Sequence, residues 1–354
     1  MMESRSVKKS LISFIVAAAV AAPVTVNAAA GPKDKAKPKF FGYAQITAAV
    51  GKGSYDNKDA DGLRFGADSV RLGYKIKHDK VWGLLQIDVN KTDKDDNIGI
   101  PEIIKDAVAG YKFKDAANVS AGVFKTPVGM DFSNPSKKLD ITKRGMETGL
   151  VLERAAGLMV SGRDISGFGY DIGVFNPTKR SAAVDFGTAG DGAGYAGRVI
   201  YAKGEKLHIE VSYGKSTQDS KATNEDYTVL GAGGIFKTGV MTLKAEYVSG
   251  RDVKGKKGYD EAVWYLHGGY AINKKNEVVI RHYAATSETG SGKKTDLGNT
   301  YIGWNLFLSD NKKDARIQLN YVFTSGDNET FSGAATKKYA YTDDIFLAQF
   351  QVGF

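Results

Sequence analysis

Eight basic side chains recur at alternate positions of otherwise apolar runs: Arg71, Lys75, Lys77, Arg163, Arg198, Lys244, Arg281 and Arg316. In Val70-Arg71-Leu72-Gly73-Tyr74-Lys75-Ile76-Lys77 every second residue is apolar, and the others are charged or Gly. A period of two puts the cations on one face of a strand and the apolar residues on the other. A guanidinium fork suits carboxylate or phosphate oxygens. A file of such forks on a wet face makes a path for small anions, as charged rings do in pores. The same parity also carries Asp88, Asp171, Glu210 and Glu246. Pairing across strands is therefore the competing use of these cations.

A second basic set lies in the stretch from Thr126 to Ala156, just after Lys125. Its cations are Lys137, Lys138, Lys143, Arg144 and Arg154. It also holds Met146 and Leu150-Val151-Leu152, which an extended outer loop would have to expose. A connection this long within one fold usually carries function. Folded inward, its apolar residues pack on a wall while its basic residues narrow a channel; an outer cap or a short helix is the alternative.

The elements that must position these side chains are strands. Alternation repeats in Leu207 to Tyr213, Met241 to Tyr247 and Ala315 to Phe323. With about 9–11 residues for each tilted membrane-crossing strand, the chain divides into about 16. Their centres fall near Ala44, Gly73, Leu85, Ala109, Ala121, Val160, Ile172 and Arg198, then Val211, Gly231, Ala245, Gly268, Ile280, Gly303, Leu319 and Gln349. Tight polar turns at His78-Asp79-Lys80, Gly204-Glu205, Thr238-Gly239 and Asn273-Lys274-Lys275 alternate with long polar stretches at 51–67, 90–102, 177–192, 250–260 and 325–343. Short turns at one end and long loops at the other are the habit of a transmembrane antiparallel β-barrel. An even strand number brings both termini to the short-turn side.

Parity then assigns Val70, Leu72, Tyr74, Ile76, Ile209, Val211, Leu243, Tyr247, Ile317, Leu319, Phe323 and Phe350 to lipid. Trp264 and Trp304 suit the aromatic girdles, whereas Trp82 shares the parity of Asp88. Composition agrees: 42 Gly, 18 Tyr and 17 Phe against 7 Pro. The absence of Cys excludes a disulfide framework, a thiolate metal site and a covalent haem; no cofactor is implied. Gly231-Ala232-Gly233-Gly234 reads as a strand kink or close packing rather than as a nucleotide loop.

The first residues read as an address. Arg5, Lys8 and Lys9 precede the apolar run Leu11 to Ala22, and small residues follow to Ala30. This is a signal peptide over 1–30, cleaved after Ala28 or Ala30. A short periplasmic segment over 31–39 and one barrel domain over 40–354 follow it. The net charge of +9 falls to +7 once three basic and one acidic residue leave with the signal. No nucleic-acid module accompanies that charge. In the last strand Phe346, Ala348, Phe350, Val352 and Phe354 share one face, and a terminal Phe of this kind resembles the signal read by the bacterial barrel-assembly machinery.

Gly122-Val123-Phe124-Lys125-Thr126-Pro127, then Glu153-Arg154, Gly162-Arg163 and Tyr170-Asp171-Ile172-Gly173-Val174-Phe175-Asn176 resemble the phosphate-selective porin O/P family. In that family such residues bracket the third loop. The resemblance implies a sixteen-stranded, trimeric barrel in the outer membrane of a Gram-negative bacterium. It implies passive diffusion of small hydrophilic solutes, with preference for anions such as phosphate or other oxyanions. Outer-membrane lipid and small anions are then its partners. The candidate lumenal residues are Arg71, Lys75, Lys125, Lys137, Lys138, Lys143, Arg144, Arg154, Arg163, Arg198, Arg281 and Arg316.

Two other classes compete with this reading. An outer-membrane hydrolase needs a nucleophile, a base and an orienting group in reach of each other. His78, His208, His267 and His282 are the only imidazoles, and no nucleophile motif accompanies them, so no enzyme activity is expected. A non-conducting scaffold around a partner is the other. N-terminal sequencing of the exported protein should find Ala29 or Gly31 first; an intact Met1 would remove the signal peptide.

Overall fold

Alternation becomes strand wherever the sequence shows it. The computed structural model describes residues 38–52, 61–90, 103–177, 192–217, 226–312, 314–327 and 330–354. The signal peptide, residues 31–37 and most of the stretches at 90–102 and 177–192 lie outside the described residues. The first strands are β1 (Lys39–Gly51), β2 (Leu63–His78), β3 (Val81–Asp88), β4 (Ile104–Lys114) and β5 (Ala117–Lys125). Then come β6 (Arg154–Ile165), β7 (Phe168–Phe175), β8 (Gly194–Lys203), β9 (Leu207–Ser216) and β10 (Tyr227–Thr238). The last are β11 (Met241–Arg251), β12 (Asp260–Ala271), β13 (Asn276–Glu288), β14 (Lys294–Phe307), β15 (Ala315–Gly326) and β16 (Ile345–Gly353). Each contains the centre expected from the sequence.

Every strand pairs antiparallel with its chain neighbour, and β1 pairs with β16 to close a sixteen-stranded barrel. The closing seam runs in register from Tyr43 opposite Gly353 to Gly51 opposite Ile345. Phe354 extends it by one step, exchanging backbone hydrogen bonds of 3.2 and 3.0 Å with Gly42. A side chain at Gly42 would collide with the Phe354 ring, so the missing Cβ gives that ring its place.

The outward parity is apolar and open. Ile172 is 62 % exposed, and Leu72, Val174, Val211, Leu266, Ile280 and Phe350 are exposed alongside it. Water penalises such a wall and hydrocarbon accepts it. Trp264 and Trp304 stand on this face, and the Trp304 indole N–H donates to Asn276 Oδ1 at 3.1 Å beside a short turn. Trp82 faces the other way, stacked over Gly110 with its N–H on Asn118 Oδ1 at 2.8 Å.

The opposite parity is buried against the segment that joins β5 to β6. This segment, residues 126–153, contains a one-turn helix α1 (Met130–Ser133) and two 3₁₀ turns at Ser136–Lys138 and Met146–Gly149. Its Val128, Met130, Phe132, Ile141, Met146, Leu150 and Leu152 form a core with Val248, Val263, Tyr265, Tyr283, Tyr301 and Leu347 of the wall. The wall makes room with glycine. A Cβ at Gly214 would lie 2.7 Å from Leu152, and one at Gly233 would lie 3.1 Å from the Met130 sulfur. The expectation of close packing at the Gly-rich run on β10 therefore holds at Gly233.

Two of the long stretches read as loops need correction. Strand β2 already begins at Leu63, because Leu63-Arg64-Phe65 continues the alternation and Arg64 donates to the Gly51 carbonyl at 2.9 Å. The 325–343 stretch is not an open polar loop either. Phe331, Ala335, Thr336, Ala340 and Tyr341 are buried, and a 3₁₀ turn at Thr336–Tyr339 packs on the 146–149 turn. Glu261 fixes it by accepting from the Ala335 and Thr336 N–H groups at 3.1 and 2.9 Å. The apolar residues Phe331, Ala335, Ala340 and Tyr341 are the sequence signal for this packing.

Gly214→Val should drive Leu152 and Val128 off the wall. Overpacking of this kind costs about 1–3 kcal/mol. The expected outcome is unfolding at lower temperature, read as earlier loss of the compact band on unheated gels; unchanged heat resistance would refute the packing role.

Candidate channel site

Segment 126–153 is held by side chains of the buried parity from nearly every strand it passes. Both Glu246 oxygens accept from the N-terminus of α1, from the Met130 and Asp131 N–H groups at 2.5 and 3.0 Å. At the other end of α1, Lys125 and Arg144 converge on the free carbonyls. Arg144 donates to the Asp131, Phe132 and Asn134 oxygens at 3.1, 3.3 and 2.5 Å, and Lys125 donates to Phe132 and, at 2.7 Å, to Asn134. Acid at a helix N-terminus and base at its C-terminus match the charge the unsatisfied backbone presents there.

Amides of the wall satisfy the rest. Gln318 and Arg316 donate to the Leu139 carbonyl at 3.3 and 2.9 Å, and Asn305 to that of Asp140 at 3.0 Å. Gln349 and Gln351 serve the Thr142 and Lys137 carbonyls at 3.0 and 3.3 Å. An irregular backbone would be costly to bury without such partners.

The strongest ties are ionic. Arg281, with no exposed surface, reaches Asp131 Oδ2 at 3.0 Å and Asp140 Oδ2 at 3.1 Å. Its guanidinium lies 4.5 Å from the Tyr265 ring centre and bonds the Tyr283 hydroxyl at 2.8 Å. Lys244 reaches Asp140 at 2.5 Å. Burial alone would raise the Asp131 carboxyl, but the Arg281 and Lys244 charges outweigh it and hold it below the usual range. Asp140 is depressed against the same desolvation, by Lys244 foremost.

The candidate cations thus divide by placement. Arg281 and Arg316 are spent on the segment and have almost no surface left, so they face the segment rather than a solute. The physical reason is that the segment covers the wall where they stand. Arg154 is also buried, on Asp106 at 3.1 Å, and Lys143 pairs with Asp68 at 3.0 Å. Arg71 meets Asp88 at 2.9 Å. Lys75 and Lys137 lie over the Phe41 ring at 5.1 and 6.0 Å, and Lys138 is exposed on its 3₁₀ turn.

Three candidates are brought together. Lys125, Arg163 and Arg198 line one cavity of about 530 Å³ with Lys112, Thr126 and Ser133. Arg163 grips both oxygens of Asp171 at 2.9 and 2.8 Å yet remains 43 % exposed. Arg198 shares that carboxylate at 2.6 Å and reaches Ser133 Oγ at 2.8 Å. Arg198 also lies 3.6 Å from Glu210 Oε2, and Asp115, Asp164 and Asp171 line the cavity with the cations, so guanidinium N–H donors and carboxylates share the open space. Lys112 and Ser133 were missed from sequence: Lys112 has the right parity on β4, but Ser133 lies on a segment with no periodic signal. Among the described residues no cluster of three or more His, Cys, Asp or Glu is arranged to hold a metal.

A closed sixteen-stranded barrel with lipid-facing apolar parity and cations on the other parity defines a porin of the outer membrane. The family model for phosphate-selective porins O and P matches residues 43–276, and the chain belongs to that family. No curated protein sequence matches it. Among solved structures, the anion-selective porin from Comamonas acidovorans is similar with a TM-score of 0.68 at 14% identity, covering 90% of this chain and 100% of that one. The outer membrane channel DcaP of Acinetobacter baumannii has a TM-score of 0.64 at 15% identity over 92% of this chain and 100% of its own. OmpT of Vibrio cholerae in its trimer form has 0.63 at 14%, over 91% and 100%.

Asp171→Asn should leave Arg163 and Arg198 without their shared counter-charge. The measurement is reversal potential in a salt gradient, and it should move toward stronger anion preference. A shift toward cations would mean that the two guanidiniums do not face the permeating ion.

Proposed function

We propose that this porin passes small hydrophilic anions by passive diffusion, with segment 126–153 lying across the lumen as its constriction. The cavity lined by Lys125, Arg163 and Arg198 carries this reading. Its guanidinium and ammonium donors are of the kind that oxyanions accept from. The phosphate named in the family's description and the anion selectivity named for the Comamonas porin both point the same way. Arg71, Lys75, Lys137, Lys138, Lys143, Arg144 and Arg154 do not line that cavity, and Arg71, Lys143 and Arg154 are ion-paired to Asp88, Asp68 and Asp106.

The same reading takes residues 1–30 as an export signal, sets the short turns in the periplasm and makes the channel a conduit with no catalytic step. It also takes the protein as a homotrimer, in keeping with the trimer form of the Vibrio barrel. The strand ending at Phe354 serves as the element read by the assembly machinery.

Planar-bilayer recording in a salt gradient tests the proposal. Anion preference is expected, with block of chloride current by added phosphate. Replacing Arg163 and Arg198 together by Ala removes charge-assisted contacts of about 1.5–3 kcal/mol each, so anion over cation permeability should fall several-fold. Cation preference in the unaltered protein would sink the anion reading while leaving the porin.

A further inference from the structure

Beneath the 146–149 turn several charged groups lie close together. Asp131, Asp140, Glu147 and Glu246 lie among Arg144, Lys244 and Arg281, with Lys125 beside Arg144 and Arg316 on the neighbouring Leu139 carbonyl. The His267 Nδ1 accepts from Arg281 Nε at 3.3 Å. Asp131 and Asp140 hold cations, and both oxygens of Glu246 are engaged by N–H donors. Glu147 differs from these three acids: it is buried, forms no ion pair among the described residues, and its Oε2 has no hydrogen-bond partner.

We propose that Glu147 is a proton-binding site that sets how firmly segment 126–153 is seated, protonated when the segment lies on the wall and ionised when it lifts away. The proposal rests on the reading that this segment narrows the channel. The groups around Glu147 come from every element packed on it. Its own segment brings Asp131 and Arg144, β11 brings Glu246, β13 brings Arg281 and Tyr283, and β14 brings Tyr301. From β12 come Tyr265, His267 and Glu261, the last already satisfied by the Thr336 turn that carries Lys337, Lys338 and Tyr339. Ionising Glu147 would put a negative charge next to the acids Asp131 and Glu246, with no hydrogen-bond donor at its Oε2.

Burial foremost, then the Asp131 charge, raises the Glu147 carboxyl from its ordinary 4.5 to about 7. A raised value means that the seated state is favoured fully below 4.5 and loses that advantage as pH climbs to about 7. Across that interval the unseated fraction should grow about tenfold per pH unit and then level off.

Single-channel recording through this pH interval tests the device, with opening or flicker rate as the readout. The wild-type rate should rise and then plateau, whereas Glu147→Gln should hold the acid behaviour throughout. An identical pH profile in Glu147→Gln would overturn the proposal. Two further readouts do not depend on conduction: the infrared carbonyl stretch of a protonated carboxyl, and trypsin cleavage after Lys143 or Arg144 relative to Glu147→Gln. If the band and the cleavage titrate while currents do not, the proton site stands and the constriction reading fails. If neither titrates, the proton site is refuted.

Discussion

Arg281 survives without water because Asp131 and Asp140 take up its guanidinium and two tyrosine rings flank it. Removing one partner of such a buried pair costs about 3–5 kcal/mol, since the other charge is left uncompensated. That constraint runs in both directions. The wall of β13 needs the segment as much as the segment needs the wall. Everything else along 126–153 follows from it: the amides of β14, β15 and β16 close the irregular backbone, and the glycines of β9 and β10 give its apolar side chains a seat.

The same ties decide which basic residues keep exposed surface. A cation buried against the segment has its donors used and its field offset. Arg163 and Arg198 differ because they share Asp171 between them on the uncovered part of the wall. Which cations stay exposed is thus a matter of what is left over after segment 126–153 has been tied to the wall. It is not a matter of how many Arg and Lys the sequence contains.

Strand positions were legible because lipid imposes a strict rule on alternate residues, and Leu72, Val211 and Phe350 obey it. The inward parity was harder. On β10 to β16 it carries Val248, Val263, Tyr265, Tyr283 and Leu347, which read as an unexplained apolar face until the segment is laid over them. The basic residues of the 126–156 stretch were visible by type, but their partners were not. Asp68 and Asp106 pair with Lys143 and Arg154 across separations that no periodicity reports. Glu147 left no trace in pattern either, because a lone acid in a loop looks solvated until its surroundings are known.

The barrel has one seam unlike the rest. Fifteen of its interstrand pairings join consecutive strands, and only β1 with β16 joins the two ends of the described wall. Loop-closure entropy grows slowly, by about 0.6 kcal/mol for each doubling of the enclosed chain. Closing the whole sheet therefore costs about 3 kcal/mol more than closing a single hairpin some five doublings shorter. The row of pairings from Tyr43 to Gly51 repays that with backbone hydrogen bonds of about 1 kcal/mol each, and it removes the last open edge. Zippering from hairpin to hairpin can thus proceed locally, and the expensive long-range event is postponed to a single step. Gly42, by admitting the Phe354 ring, lets the seam run to the last residue of that strand.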